Sequence, residues 1–167
     1  MPRSPLARRL ALTAGALLTL AGCDAPGGDG GAFSFALSGA RTARFDGAAE
    51  FDGTPCRVRL RSGSAALSLM MACPGPDDEE AFQTGSLRVT SAATDSTAWV
   101  SFYDDGDRRA YRGTGGTVEI TAKSPTRLTG RFDVEAHRLG FDNRVDTTGT
   151  PLRIVGTFDA HGFAGPE

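Results

Sequence analysis

Three cysteines, two histidines and two acidic clusters are the side chains able to do chemistry in this 167-residue chain. The thiols are Cys23, Cys56 and Cys73, and the imidazoles are His137 and His161. A thiol can be acylated, oxidised or bound to a metal, and its neighbours decide which. No C-x-x-C or zinc-type spacing is present, nor a G-x-S-x-G elbow, an H-E-x-x-H helix or a phosphate-binding G-x-x-x-x-G-K-[ST] loop. His137 and His161 each lie close to the end of a strand-like segment, where an exposed, solvated ring is expected. Asp77-Asp78-Glu79-Glu80 and Asp104-Asp105-Gly106-Asp107 could offer oxygens to Ca²⁺, which takes roughly six to eight. Neither has the EF-hand spacing with its closing Glu, so they read as a solvated loop and a hairpin turn. No catalytic residue, metal site or cofactor is expected, and the chain does not read as an enzyme.

Cys23 has a particular setting. Arg3, Arg8 and Arg9 precede an uncharged run from Leu10 to Ala21, the layout of an export signal. The run has 12 residues, short of the roughly 20 that a spanning helix needs. It ends in Leu20-Ala21-Gly22-Cys23, which resembles the lipobox of bacterial lipoproteins: a bulky residue, two small ones, then cysteine. The resemblance implies diacylglyceryl transfer to the Cys23 thiol, cleavage between Gly22 and Cys23, and acylation of the new amino group, commonly with palmitate. Ala21 and Gly22 are small enough for an extended backbone to enter a peptidase cleft. Two or three acyl chains anchor stably where one is marginal, at about 0.8 kcal/mol per buried methylene. Arg8-Arg9 lacks the flanking residues of twin-arginine signals, which favours the general secretory route. Asp24 matches an inner-membrane retention signal of some enteric bacteria, but that rule varies between lineages. The expected location is therefore the bacterial cell envelope, with inner and outer membrane both open.

Residues 1–22 thus read as a cleaved signal peptide and 23–31 as the lipidated cysteine with a tether, Asp24 to Gly31. Eight Gly-rich residues span on the order of 16 Å. Residues 32–167 have the length of one domain. Loss of the three signal arginines takes 18 basic residues to 15 against 20 acidic ones, a net charge of about −5. That balance argues against a nucleic-acid partner.

Within the domain the apolar period is close to two: Phe33 to Leu37, Cys56 to Arg61, Leu87 to Thr90, Ala98 to Tyr103, Val118 to Thr121, Leu128 to Ala136 and Leu152 to Ala160. Asp46-Gly47, Asp52-Gly53, Ser62-Gly63, Pro74-Gly75-Pro76, Asp104 to Asp107 and Gly113 to Gly116 read as turns between them. The expected fold is all-β, an antiparallel sandwich or closed barrel of about 8–10 short strands. Leu128-x-Gly130-x-Phe132-x-Val134 matches Ile154-x-Gly156-x-Phe158-x-Ala160, placing a glycine beside a ring twice. These segments, with Gly115 to Thr121, resemble the C-terminal pattern of small β-rich envelope lipoproteins of unassigned function. That resemblance covers about a third of the chain and supports the fold rather than a site.

With Cys23 lipidated, Cys56 and Cys73 are expected to form a disulfide in an oxidising compartment. A hairpin with a four-residue loop, Gly63 to Ala66, sets Leu60 against Leu69, Val58 against Met71 and Cys56 against Cys73. Arg57, Arg59 and Arg61 then share the outer face, where pairing with Asp or Glu is the ordinary outcome and an anionic ligand the other. The functional expectation is a membrane-anchored, non-enzymatic interaction or structural module with an envelope protein partner. The alternative is a lipocalin-like carrier whose phenylalanines and Trp99 line a cavity for a small apolar ligand.

Overall fold

Alternation of inward and outward side chains builds every long strand. The computed structural model describes residues 30–52, 57–71, 84–91, 97–124 and 126–162. They form β1 (Gly31–Gly39), β2 (Ala43–Asp52), β3 (Arg57–Ser62), β4 (Ala65–Met71), β5 (Gly85–Val89), β6 (Thr97–Asp104), β7 (Arg109–Ser124), β8 (Arg127–Leu139), β9 (Val145–Asp146) and β10 (Leu152–Gly162). No helix occurs among the described residues. On β8, Leu128, Phe132, Val134 and Ala136 are buried, while Arg131 and Glu135 between them are exposed.

The fold is all-β, a ten-stranded mixed sheet. Antiparallel pairings run from β1 through β2, β3, β4, β6, β7, β8 and β10, and return from β10 to β1. It is not a clean barrel: β5 lies parallel to β6, β10 touches β2 in parallel, and β9 adds two residues beside β8. Strand β7 is the longest, at 16 residues. Its first part pairs with β6 and its later part with β5. The change of neighbour falls at Gly113 to Gly116, where the β7–β8 register also shifts. Sequence reading places a turn there. The chain instead runs straight through, because a bulge and a left-handed Gly116 (φ 101°) absorb the irregularity.

Asp46-Gly47 likewise lies within β2, not at a turn. Gly47 sits opposite Phe33, Gly156 opposite Phe132 and Gly130 opposite Phe158. A Cβ at Gly130 would come within 2.5 Å of the Phe158 ring tip. The reciprocal pairs let the Phe132 and Phe158 rings stack at 6.4 Å.

The β3–β4 hairpin turns through two residues, Gly63-Ser64, so Ser62 faces Ala65, Leu60 faces Leu67 and Val58 faces Leu69. The four-residue loop, and with it the register that sets Cys56 against Cys73, is corrected. A slip of two residues keeps every side chain on its face, so apolar facing is met equally by both registers. The tight turn is held from outside by the Asp105 amide donating to the Ser64 carbonyl at 2.9 Å.

Gly31 lies at one end of the strands, beside the last residues of β2 and β10. The connections β1–β2, β3–β4, β6–β7 and β8–β10 lie at the other end.

Candidate functional site

Cys23 and Gly22, and both Cys56 and Cys73, lie outside the described residues. The lipidation, cleavage and disulfide expectations therefore fall outside the described residues. The remaining candidates divide between interior, strand-end loops and outer face.

The interior is apolar. Phe33, Phe35, Phe45, Phe51, Phe102, Phe132 and Phe158 belong to one buried cluster with Tyr111 and the aliphatic side chains of the strands. Their rings touch: Phe35 lies 5.1 Å from Phe45 and 5.8 Å from Phe102, and Phe102 lies 5.8 Å from Tyr111. Trp99 does not join them. It points outward from β6, half-buried, with the Arg112 guanidinium 4.4 Å above its ring.

The Asp104 to Asp107 cluster is a turn. Asp104 is 2% exposed, and one of its oxygens accepts from the Gly106 and Asp107 amides at 3.0 and 3.4 Å. Its other oxygen meets Arg41 from the β1–β2 loop, which also donates to Asp107 at 2.9 Å. That guanidinium holds the Asp107 carboxyl below its ordinary range. Among the described residues no group of three or more His, Cys, Asp or Glu could hold a metal ion. The Asp77 to Glu80 cluster lies outside the described residues.

Outside, strands β7, β8 and β10 carry a ladder of ion pairs. Arg131 donates to Glu119 at 2.7 Å, Arg153 to Asp133 at 2.9 and 2.6 Å, and Arg127 to Asp159 at 2.7 and 2.5 Å. The hydrogen bonds from Arg153 and Arg127 hold the Asp133 and Asp159 carboxyls below the usual range. A surface groove of about 540 Å³ opens beside the ladder, with Asp133, Glu135, Arg153, Thr117 and Pro151 in its wall.

The histidines are not the exposed rings expected. His137 is 11% exposed, with Nε2 3.6 Å from Glu135, and His161 is half-buried at the end of β10. On β3, Arg57 and Arg59 reach Asp52 at 3.2 and 2.6 Å, which is the intramolecular pairing expected of that stripe. Arg61 is exposed.

Sequence reading missed the Trp99–Arg112 stack and the Arg41–Asp104 contact, each of which joins side chains through tertiary pairing. The outward parity of Trp99 was legible, since it alternates with Ala98, Val100 and Phe102. No family model, no curated protein and no solved structure matches this chain.

Proposed function

We propose that the chain is a lipid-anchored bacterial envelope protein, held to a membrane through Cys23, whose β domain is a non-enzymatic interaction or structural module. We read the circuit of antiparallel pairings as an eight-stranded up-and-down barrel with a filled interior. The observation that carries the module reading is the contact of Phe35 with Phe33, Phe45, Phe102 and Phe132 in one cluster. Rings that pack on each other at these distances use the space a carrier gives its ligand, and recognition groups such as Trp99 and Arg112 stand outside.

Cys23→Ser is expected to abolish labelling by an alkyne fatty acid and to release the protein from membranes; persistence of both signals sinks the anchor. A stoichiometric apolar ligand retained in native mass spectrometry would instead establish the carrier. With Cys23 acylated, Cys56 and Cys73 are left to each other. Non-reducing peptide mapping of exported protein is expected to recover them linked, and free thiols at both positions refute the bridge.

A further inference from the structure

The outer side of β3, β4, β6 and the first residues of β7 differs from the rest of the surface. Arg57, Arg59, Arg61 and Arg112 stand on it with Met70, Trp99 and Tyr103, the other outward positions of these strands being small. No Asp or Glu points outward from them, although the chain as a whole has a net charge of −2. The registers bring these residues abreast. Arg57 faces Met70, which faces Trp99, while Arg61 faces Ala66, which faces Tyr103. Arg112 lies between Ser101 and His137.

A second observation falls at the same place. Among the described residues four buried side-chain nitrogen or oxygen atoms lack a hydrogen-bond partner, and three are Arg57 Nε, Arg112 Nε and, on the adjoining strand, His137 Nδ1. The fourth, an Asp104 oxygen, faces Arg41. Leaving a buried polar atom unpaired is unfavourable, and here such atoms collect on one face whose acidic neighbours stand on the flanking strands and are already engaged, Asp52 of β2 with Arg57 and Arg59 and Glu135 of β8 with His137. Arg61 makes no ion pair among the described residues.

We propose that this face docks an acidic polypeptide segment of a partner protein. Arg61 and Arg112 receive its carboxylates, with Arg57 and Arg59 beside them held by Asp52, and Trp99, Tyr103 and Met70 cover its apolar side chains. Aromatic residues, methionine and arginine are the composition of protein-interface centres. A second copy presenting the same face sets arginine against arginine, which disfavours self-association here. The proposal rests on the interaction-module reading and names its partner class.

Trp99 is the single tryptophan, so its emission reports this face directly. The probe is the acetylated peptide Glu-Phe-Glu-Glu-Leu-Glu-Phe-Glu, with its Gln-for-Glu counterpart as control. A saturable change in Trp99 emission is expected, about tenfold weaker in affinity for the Gln peptide and for the Arg61→Glu and Arg112→Gln proteins, and weaker still as salt rises. Equal binding of the two peptides, or indifference to Arg61→Glu, overturns the proposal. So does saturation by phosphatidylglycerol vesicles with none by peptide. In cells, a photoreactive residue at Ser68 tests this face and one at Thr157 tests the opposite side of the circuit. Adducts from Thr157 alone overturn the face and leave the module reading standing; adducts from neither overturn both.

Discussion

Glycine opposite phenylalanine is the residue-scale device that sets the interior. At Gly156 a Cβ would lie 2.5 Å from the Ser34 carbonyl oxygen and 2.8 Å from the Phe132 ring tip. Backbone on one side and a ring on the other leave no direction in which to yield. Gly156→Ala is therefore expected to cost about 3 kcal/mol by overpacking, read as a lowered urea midpoint at unchanged slope. Gly149→Ala, with nothing within 4 Å, serves as the control, and equal midpoints for the two variants reject the account. Two of these glycines were legible because Gly130-x-Phe132 and Gly156-x-Phe158 repeat. Gly47 was not: no repeat marks it, and Asp46-Gly47 reads as a turn although the glycine lies within β2 opposite Phe33. Within β2 the run Gly47-Ala48-Ala49 gives weak alternation.

Among elements, β8 ties the outer ladder together, since Arg131, Asp133 and Arg127 all belong to it. Asp133 and Asp159 have folded pKa values below their unfolded ones. Such carboxyls contribute stability in full above the unfolded value, near 3.9, and lose it as pH falls through the folded value. The urea midpoint is expected to hold between about pH 7 and 5 and to fall below about pH 4. Arg153→Gln should shrink the fall by removing the donor that depresses Asp133. Coincident acid limbs for the two proteins would show that this pair does not shape the profile. The pairs lie near the surface, so added salt should reduce the effect.

The two register-level errors in reading the elements share a cause. Gly113 to Gly116 marks a break in regular pairing, and sequence alone does not say whether a break becomes a turn or a bulge. Pairing of β7 with both β5 and β6 decides it. In the β3–β4 hairpin, apolar parity allowed two registers, and the choice between them leaned on an assumed thiol pair. The two-residue turn and the contact from Asp105 to Ser64 selected the other.

At the scale of the whole molecule, one apolar cluster draws side chains from every strand of the antiparallel circuit. Removing any strand therefore opens the core and two neighbours together. Ending the chain before Leu152 deletes β10 and strips β1 and β8 of one partner each. The truncated protein is expected to aggregate on refolding at concentrations where the full chain stays soluble, measured by light scattering. A soluble truncation with native-like near-ultraviolet dichroism would show that closure is dispensable. The all-β class was legible from period-two alternation. Sandwich and closed barrel both stayed open, because the β1–β10 pairing joins opposite ends of the domain.

Closure also bears on the surface density that the lipid anchor proposed above would impose. Proteins confined to two dimensions meet their own kind far more often than the same number of molecules in bulk, and an open strand edge is then a template for the next molecule. Each of the eight strands in the circuit has a partner on both sides. Held on a membrane by the anchor proposed above, such a circuit would offer a neighbouring copy no strand edge of its own, and among the described strands only the short β5 and β9 lie outside it.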